Sequence, residues 1–93
     1  MSNWAFLSKH ALVLSLIAKN QRVTAQEMAT AIGTTERQVR RVIADLYKDG
    51  YISKKKVGRG VKYSINTGLS LRHDTHTDIA IGDFLKALGW RSR

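Results

Sequence analysis

Apolar residues along this chain first recur at helical spacing, then alternate as in strands, then return to helical spacing. Trp4, Leu7, Ala11, Leu14 and Ala18 form one stripe, and Phe6, Val13, Leu16 and Ile17 widen it almost to a full circumference. This predicts a first helix capped by Asn3 or Ser2, running to about Lys19 and stopped by Asn20, a residue that tolerates a left-handed backbone. A helix with so little polar surface is buried on several sides, under the rest of its domain or against a second subunit.

Thr24-Ala-Gln-Glu27 is a capping-box pattern, in which the threonine hydroxyl accepts from the glutamate amide while the carboxylate reaches back. It predicts a short second helix with Met28, Ala29 and Ile32 on its apolar face and Gly33 at its end. Thr34 then caps a third helix, over about 34–49, whose Val39, Val42, Ile43 and Leu46 follow the i, i+3, i+4, i+7 rule, and Gly50 closes it. From Tyr51 to Val57 and from Val61 to Ile65 the pattern changes to two strands around Gly58-Arg59-Gly60, with Val61, Tyr63 and Ile65 on the packed face. After a polar link at Asn66-Thr67-Gly68, a last helix is expected to start near Asp74 or Thr77, with Ile81, Phe84, Leu85 and Leu88 as its stripe and Gly89 at its end.

Three helices followed by a hairpin describe a winged helix-turn-helix: mainly α with a small β-hairpin, an α+β fold. Ninety-three residues suit one domain. Residues 1–68 are expected to form the winged helix-turn-helix, and 69–93 a C-terminal helix of the same domain that serves dimerisation.

Charge sharpens this picture. Between Thr34 and Tyr63 stand nine basic residues and three acidic ones, a net +6 within a chain of formal net charge +9. Such an excess favours polyanionic partners, because basic groups on phosphates release condensed counterions. At 100° per residue, Arg37, Arg41, Ala44 and Lys48 fall opposite the apolar stripe of the third helix as one row. A basic row interrupted by one small residue suits a major groove. There arginine bonds guanine bidentately and Gln38 is placed to bond adenine, while Thr34 and Thr35 meet phosphate or a thymine methyl. Arg40 on the flank is expected to hold a phosphate, and Asp45 to pair with Arg41 one turn earlier. Lys54, Lys55, Lys56 and Lys62 flank a turn whose tip, Arg59, is placed for a narrow minor groove; this wing spans about 54–62.

The chain resembles small stand-alone winged-helix transcriptional regulators of the broad MarR and ArsR-like kind. Within these it is similar to a group marked by Trp4, Phe6, Leu7 and His10, by Thr35-Glu36-Arg37, Asp45-Leu46, Gly50-Tyr51 and Gly58-Arg59, and by Leu71-Arg72-His73. It departs from that group at Gly60-Val61, where a basic or polar residue is usual, and at Asp74, where proline is common. The resemblance implies sequence-specific binding of double-stranded DNA by a homodimer, with the third helix and the wing in contact. The interface is expected to use Trp4, Leu7, Ile81, Phe84, Leu85, Leu88 and Trp90, the apolar surplus of the two outer helices.

Other chemistries find less support. No glycine-rich phosphate loop, cysteine nucleophile or close group of acids points to an enzyme, and no cofactor or metal is called for. His73-Asp74-Thr75-His76 with Asp78 has some metal-ligand character, but a polar helix start with Asp74 as cap describes it better. His10 is read as a hydrogen-bonded structural histidine. The absence of cysteine, of a leader pattern and of a long apolar segment suits the cytoplasm. Two alternatives remain: a winged-helix module that binds RNA or protein, and a repressor that responds to a metal or small ligand.

Overall fold

In the computed structural model, which describes residues 6–70 and 79–89, six elements follow in order. They are α1 (Lys9–Lys19), α2 (Ala25–Ile32), α3 (Glu36–Lys48), β1 (Ile52–Val57), β2 (Gly60–Ile65) and α4 (Ile81–Ala87). This is the α+β winged-helix arrangement expected from the sequence.

The start of α1 differs from expectation. Ser8, not Ser2 or Asn3, is the N-cap; its hydroxyl accepts from the Ala11 amide at 3.2 Å. Phe6 and Leu7 therefore precede the helix, and its buried face narrows to Val13, Leu14 and Ile17. Asn20 stops the helix in an extended conformation (φ −148°), not a left-handed one. Its side-chain oxygen accepts from the Arg22 amide at 3.0 Å, so the side chain itself builds the turn.

The capping box of α2 is present in both directions, with Thr24 Oγ1 accepting from Glu27 N at 3.1 Å and Glu27 Oε1 from Thr24 N at 2.9 Å. The Thr24 backbone amide, and after it the Thr24 hydroxyl, stabilise the charged Glu27 carboxylate and hold the carboxyl below its ordinary range. Gly33 (φ +82°) ends α2 in the left-handed region, and both Gly33 N and Thr34 N donate to Ala29 O. This tight exit, which favours glycine, is what turns the chain into α3. The N-cap of α3 is Thr35 and not Thr34: Thr35 Oγ1 accepts from Gln38 N at 3.1 Å. Val39, Val42, Ile43 and Leu46 are all buried, as their spacing requires.

The core gathers those four residues with Val13, Leu14, Ile17, Met28, Tyr51, Ile52 and Tyr63. The hairpin pairs Ile52 with Ile65 at its base and Val57 with Gly60 at its tip. Tyr63 N donates to Gln21 O at 2.8 Å, which ties β2 to the link between α1 and α2. Only the base of the hairpin lies over the core, so Val61, expected on the packed face, is 39% exposed. It sits opposite Lys56 near the tip, beyond the reach of the helices.

Helix α4 starts later than Asp74 or Thr77, after an extended Ala80 that makes no side-chain cap. The link after β2 satisfies its first amides instead: Ile81 N donates to Leu69 O at 2.6 Å and Gly82 N to Thr67 O at 2.9 Å. Ile81 and Leu85, expected in a dimer interface, are core residues of the single chain at 3% and 0% exposure. Phe84 packs against the same core, whereas Leu88 is partly exposed. The surplus of apolar residues in α4 is thus largely covered by its own chain. Trp4, Trp90 and the His73–His76 segment lie outside the described residues. No helix among those described is long and apolar enough to cross a membrane.

Candidate nucleic-acid interface

Burying Val39, Val42, Ile43 and Leu46 turns the opposite side of α3 outward. Arg37, Arg41, Ala44 and Lys48 are all exposed along it, so three cations stand in one row with a gap at the alanine. None of the three makes a side-chain ion pair among the described residues. Their charge is therefore available to a polyanion.

The edges of that row are engaged. On one edge Arg40 Nη2 meets Glu36 Oε1 at 2.6 Å, an exposed i, i+4 pair of small stability value. Arg40 also lies close enough to Tyr63 to oppose the upward push that burial gives the phenol. The phosphate contact expected of Arg40 would therefore compete with Glu36. On the other edge His10 Nε2 and Asp45 Oδ2 are 2.9 Å apart, both about half exposed. Asp45 therefore pairs with His10 on α1, not with Arg41 as expected, and Arg41 remains unpartnered among the described side chains. His10 is hydrogen-bonded as expected, but at the surface.

At the start of α3, Gln38 Oε1 accepts from Lys9 Nζ at 2.6 Å and from Thr34 Oγ1 at 3.0 Å. Thr35 Oγ1 accepts the helix-cap bond and keeps its hydroxyl proton free to donate to a phosphate. Lys9, absent from the expected site, joins this corner from 29 residues away.

The wing's cations divide into two sets, because residues directly opposite in a ladder share a face. Lys54 and Lys56 lie on the face that carries Tyr63 and Val61, toward the core side. Lys54 Nζ sits 4.7 Å from the centroid of the Tyr47 ring on α3, within cation–π range, which joins wing to helix. Lys55 and Lys62 face each other on the outer side. Like charges in direct opposition repel, and an anion seated between them relieves that repulsion. Arg59 projects from the turn at the tip, where Gly58 (φ +58°) adopts a backbone that favours glycine.

Charge marked the cations in the sequence, and position at the start of the third helix marked Thr34, Thr35 and Gln38. Neither signal pointed to Lys9 or Tyr47, since each meets its partner only through tertiary packing. The hydroxyl, amide and cationic groups brought together here are donors suited to phosphates and to acceptor atoms on base edges.

Comparison with known proteins agrees with the winged-helix fold. No curated protein matches the chain. Residues 4–66 match the family described as TFIIE alpha subunit, a stretch that takes in α1 to α3 and both strands and stops before α4. With well over half its length in that match, the chain belongs to the TFIIE alpha subunit family, a transcription-related winged-helix family.

Proposed function

We propose that this chain binds double-stranded DNA sequence-specifically as a transcriptional regulator, with α3 in the major groove and the wing on the backbone or in the minor groove. One observation carries the reading: Arg37, Arg41 and Lys48 stand in a row on α3 with no ion pair among the described residues, beside a lysine-rich wing joined to that helix by Lys54 and Tyr47. Membership in a transcription-related family supports it, as does the resemblance to MarR and ArsR-like regulators. Titration with a duplex and with single-stranded RNA of equal length tests it. Tighter binding of the duplex is expected; equal or tighter binding of RNA overturns the reading.

A paired form would bring two copies of α3 to successive major grooves about 34–36 Å apart and favour an inverted-repeat site. With Ile81 and Leu85 in the core, Leu7, Phe84 and Leu88 are the described residues of the expected interface that stay outside it or at its edge. Light scattering at micromolar concentration reads this directly: a dimer supports the pairing, and a monomer removes it. A second reading, docking onto another component of the transcription machinery, is favoured by the family's description as a subunit.

A further inference from the structure

We propose that Gln38 acts as a donor-only reader that selects guanine in the major groove and rejects adenine, a role that rests on the duplex-binding reading above. A glutamine that recognises adenine uses both ends of its amide: the oxygen accepts from the N6 amino group while the NH2 donates to N7. Here the oxygen is occupied. Its two lone pairs accept from Lys9 Nζ at 2.6 Å and from Thr34 Oγ1 at 3.0 Å.

The orientation of the amide follows from this chemistry. An ammonium has three donors and no acceptor, so it requires the oxygen and not the nitrogen of Gln38 to face it. Thr34 adds a second donor to the same atom. The Gln38 NH2 consequently points away from α1 and makes no hydrogen bond among the described residues. Gln38 stands in the first turn of α3, one residue after Arg37 and three before Arg41, on the α1 side of the outward row. The first turn of a helix in a major groove is the part that reaches base edges.

What this corner presents is an amide NH2 with an ammonium beside it. Guanine offers two neighbouring acceptors, O6 and N7, in the major groove. Adenine has the same N7 but replaces O6 with an amino group, which would set donor against donor. Thymine offers one acceptor and a methyl group, and cytosine a donor. Guanine is the base whose edge matches the corner.

The test compares four duplexes that differ at a single base pair, the step whose preference disappears in Gln38→Ala. The unmodified protein should prefer guanine to adenine there by about tenfold or more, the discrimination typical of a good base contact. Gln38→Glu, which keeps the shape but presents acceptors only, should reverse the preference toward cytosine or adenine. Lys9→Met combined with Thr34→Val frees the oxygen, and should bring the guanine-to-adenine ratio below roughly threefold. Each ratio is taken within one variant, so a general loss of affinity or of folded fraction leaves it unchanged. Adenine at the Gln38-dependent step overturns the proposal, as does a base preference that Gln38→Ala leaves intact at every step. If the unmodified protein binds no duplex, this inference falls together with the DNA-binding reading. Duplex binding without a Gln38-dependent guanine removes the inference and leaves that reading standing.

Discussion

Replacing Leu85 with alanine is expected to lower the unfolding free energy by about 3 kcal/mol. The side chain is 0% exposed on α4, within the same core as residues of α1 and α3. Three carbons are removed from that environment, worth about 2.4 kcal/mol at about 0.8 per carbon. A cavity term adds to this, but α4 spans only seven residues and lies at the edge of the core, so partial collapse should hold it to roughly 1 kcal/mol or less. Urea unfolding at two protein concentrations measures the effect. A lower midpoint with unchanged slope is expected, equally at both concentrations. Leu88→Ala, at a position 39% exposed, should cost less than about 0.5 kcal/mol. A Leu85 effect below about 1 kcal/mol would refute its place in the core. A loss that shrinks as protein concentration rises would instead return Leu85 to a subunit interface.

Three further outcomes follow from other parts of the structure. A Cβ at Gly82 would lie 3.0 Å from Thr67 Cβ and 3.2 Å from Thr67 O, so Gly82→Ala should destabilise by about 1–3 kcal/mol in the same unfolding assay, and an unchanged midpoint would mean α4 is not held that closely. Because the folded state depresses the Glu27 pKa, the stability advantage over Glu27→Gln should be fully present above the ordinary value of 4.5 and close as pH falls through the lower folded value; a gap that widens in acid would contradict the capping box. Arg59→Ala and Lys55→Ala should each weaken binding to every duplex and flatten the salt dependence by roughly one slope unit, whereas an unchanged slope in both would take the wing out of the interface.

The parts of the fold legible in the sequence were those governed by neighbours in the chain. Thr24 and Glu27 are three residues apart, Gly33 needs only its own backbone angles, and the Val39–Leu46 stripe follows from helix geometry. Local patterns say that a face is buried but not what buries it. Ile81 and Leu85 therefore read as surplus, when the polar link at Asn66-Thr67-Gly68 in fact leads α4 back onto its own core. The start of α1 was misplaced for a similar reason: Ser2, Asn3 and Ser8 can all cap, and Phe6 and Leu7 fit the apolar stripe without belonging to the helix. At the site, the row Arg37, Arg41 and Lys48 was readable from spacing. The Lys9–Gln38 and His10–Asp45 contacts were not, because they depend on how α1 crosses α3, and that crossing brought Asp45 to a histidine in place of Arg41.

The central claim is that α3 reads base sequence through its outward cations, and equilibrium titration of Arg37→Ala and Arg41→Ala tests it most directly. Each variant is measured against the preferred duplex, selected from a random library, and against random-sequence DNA at one salt concentration. Each should weaken binding to the preferred site by about 1–3 kcal/mol where the contact is bidentate to guanine, and weaken binding to random DNA by less, so that the specificity ratio falls. Equal losses on both duplexes would contradict the claim, reducing these arginines to phosphate contacts and moving sequence recognition away from this row of α3.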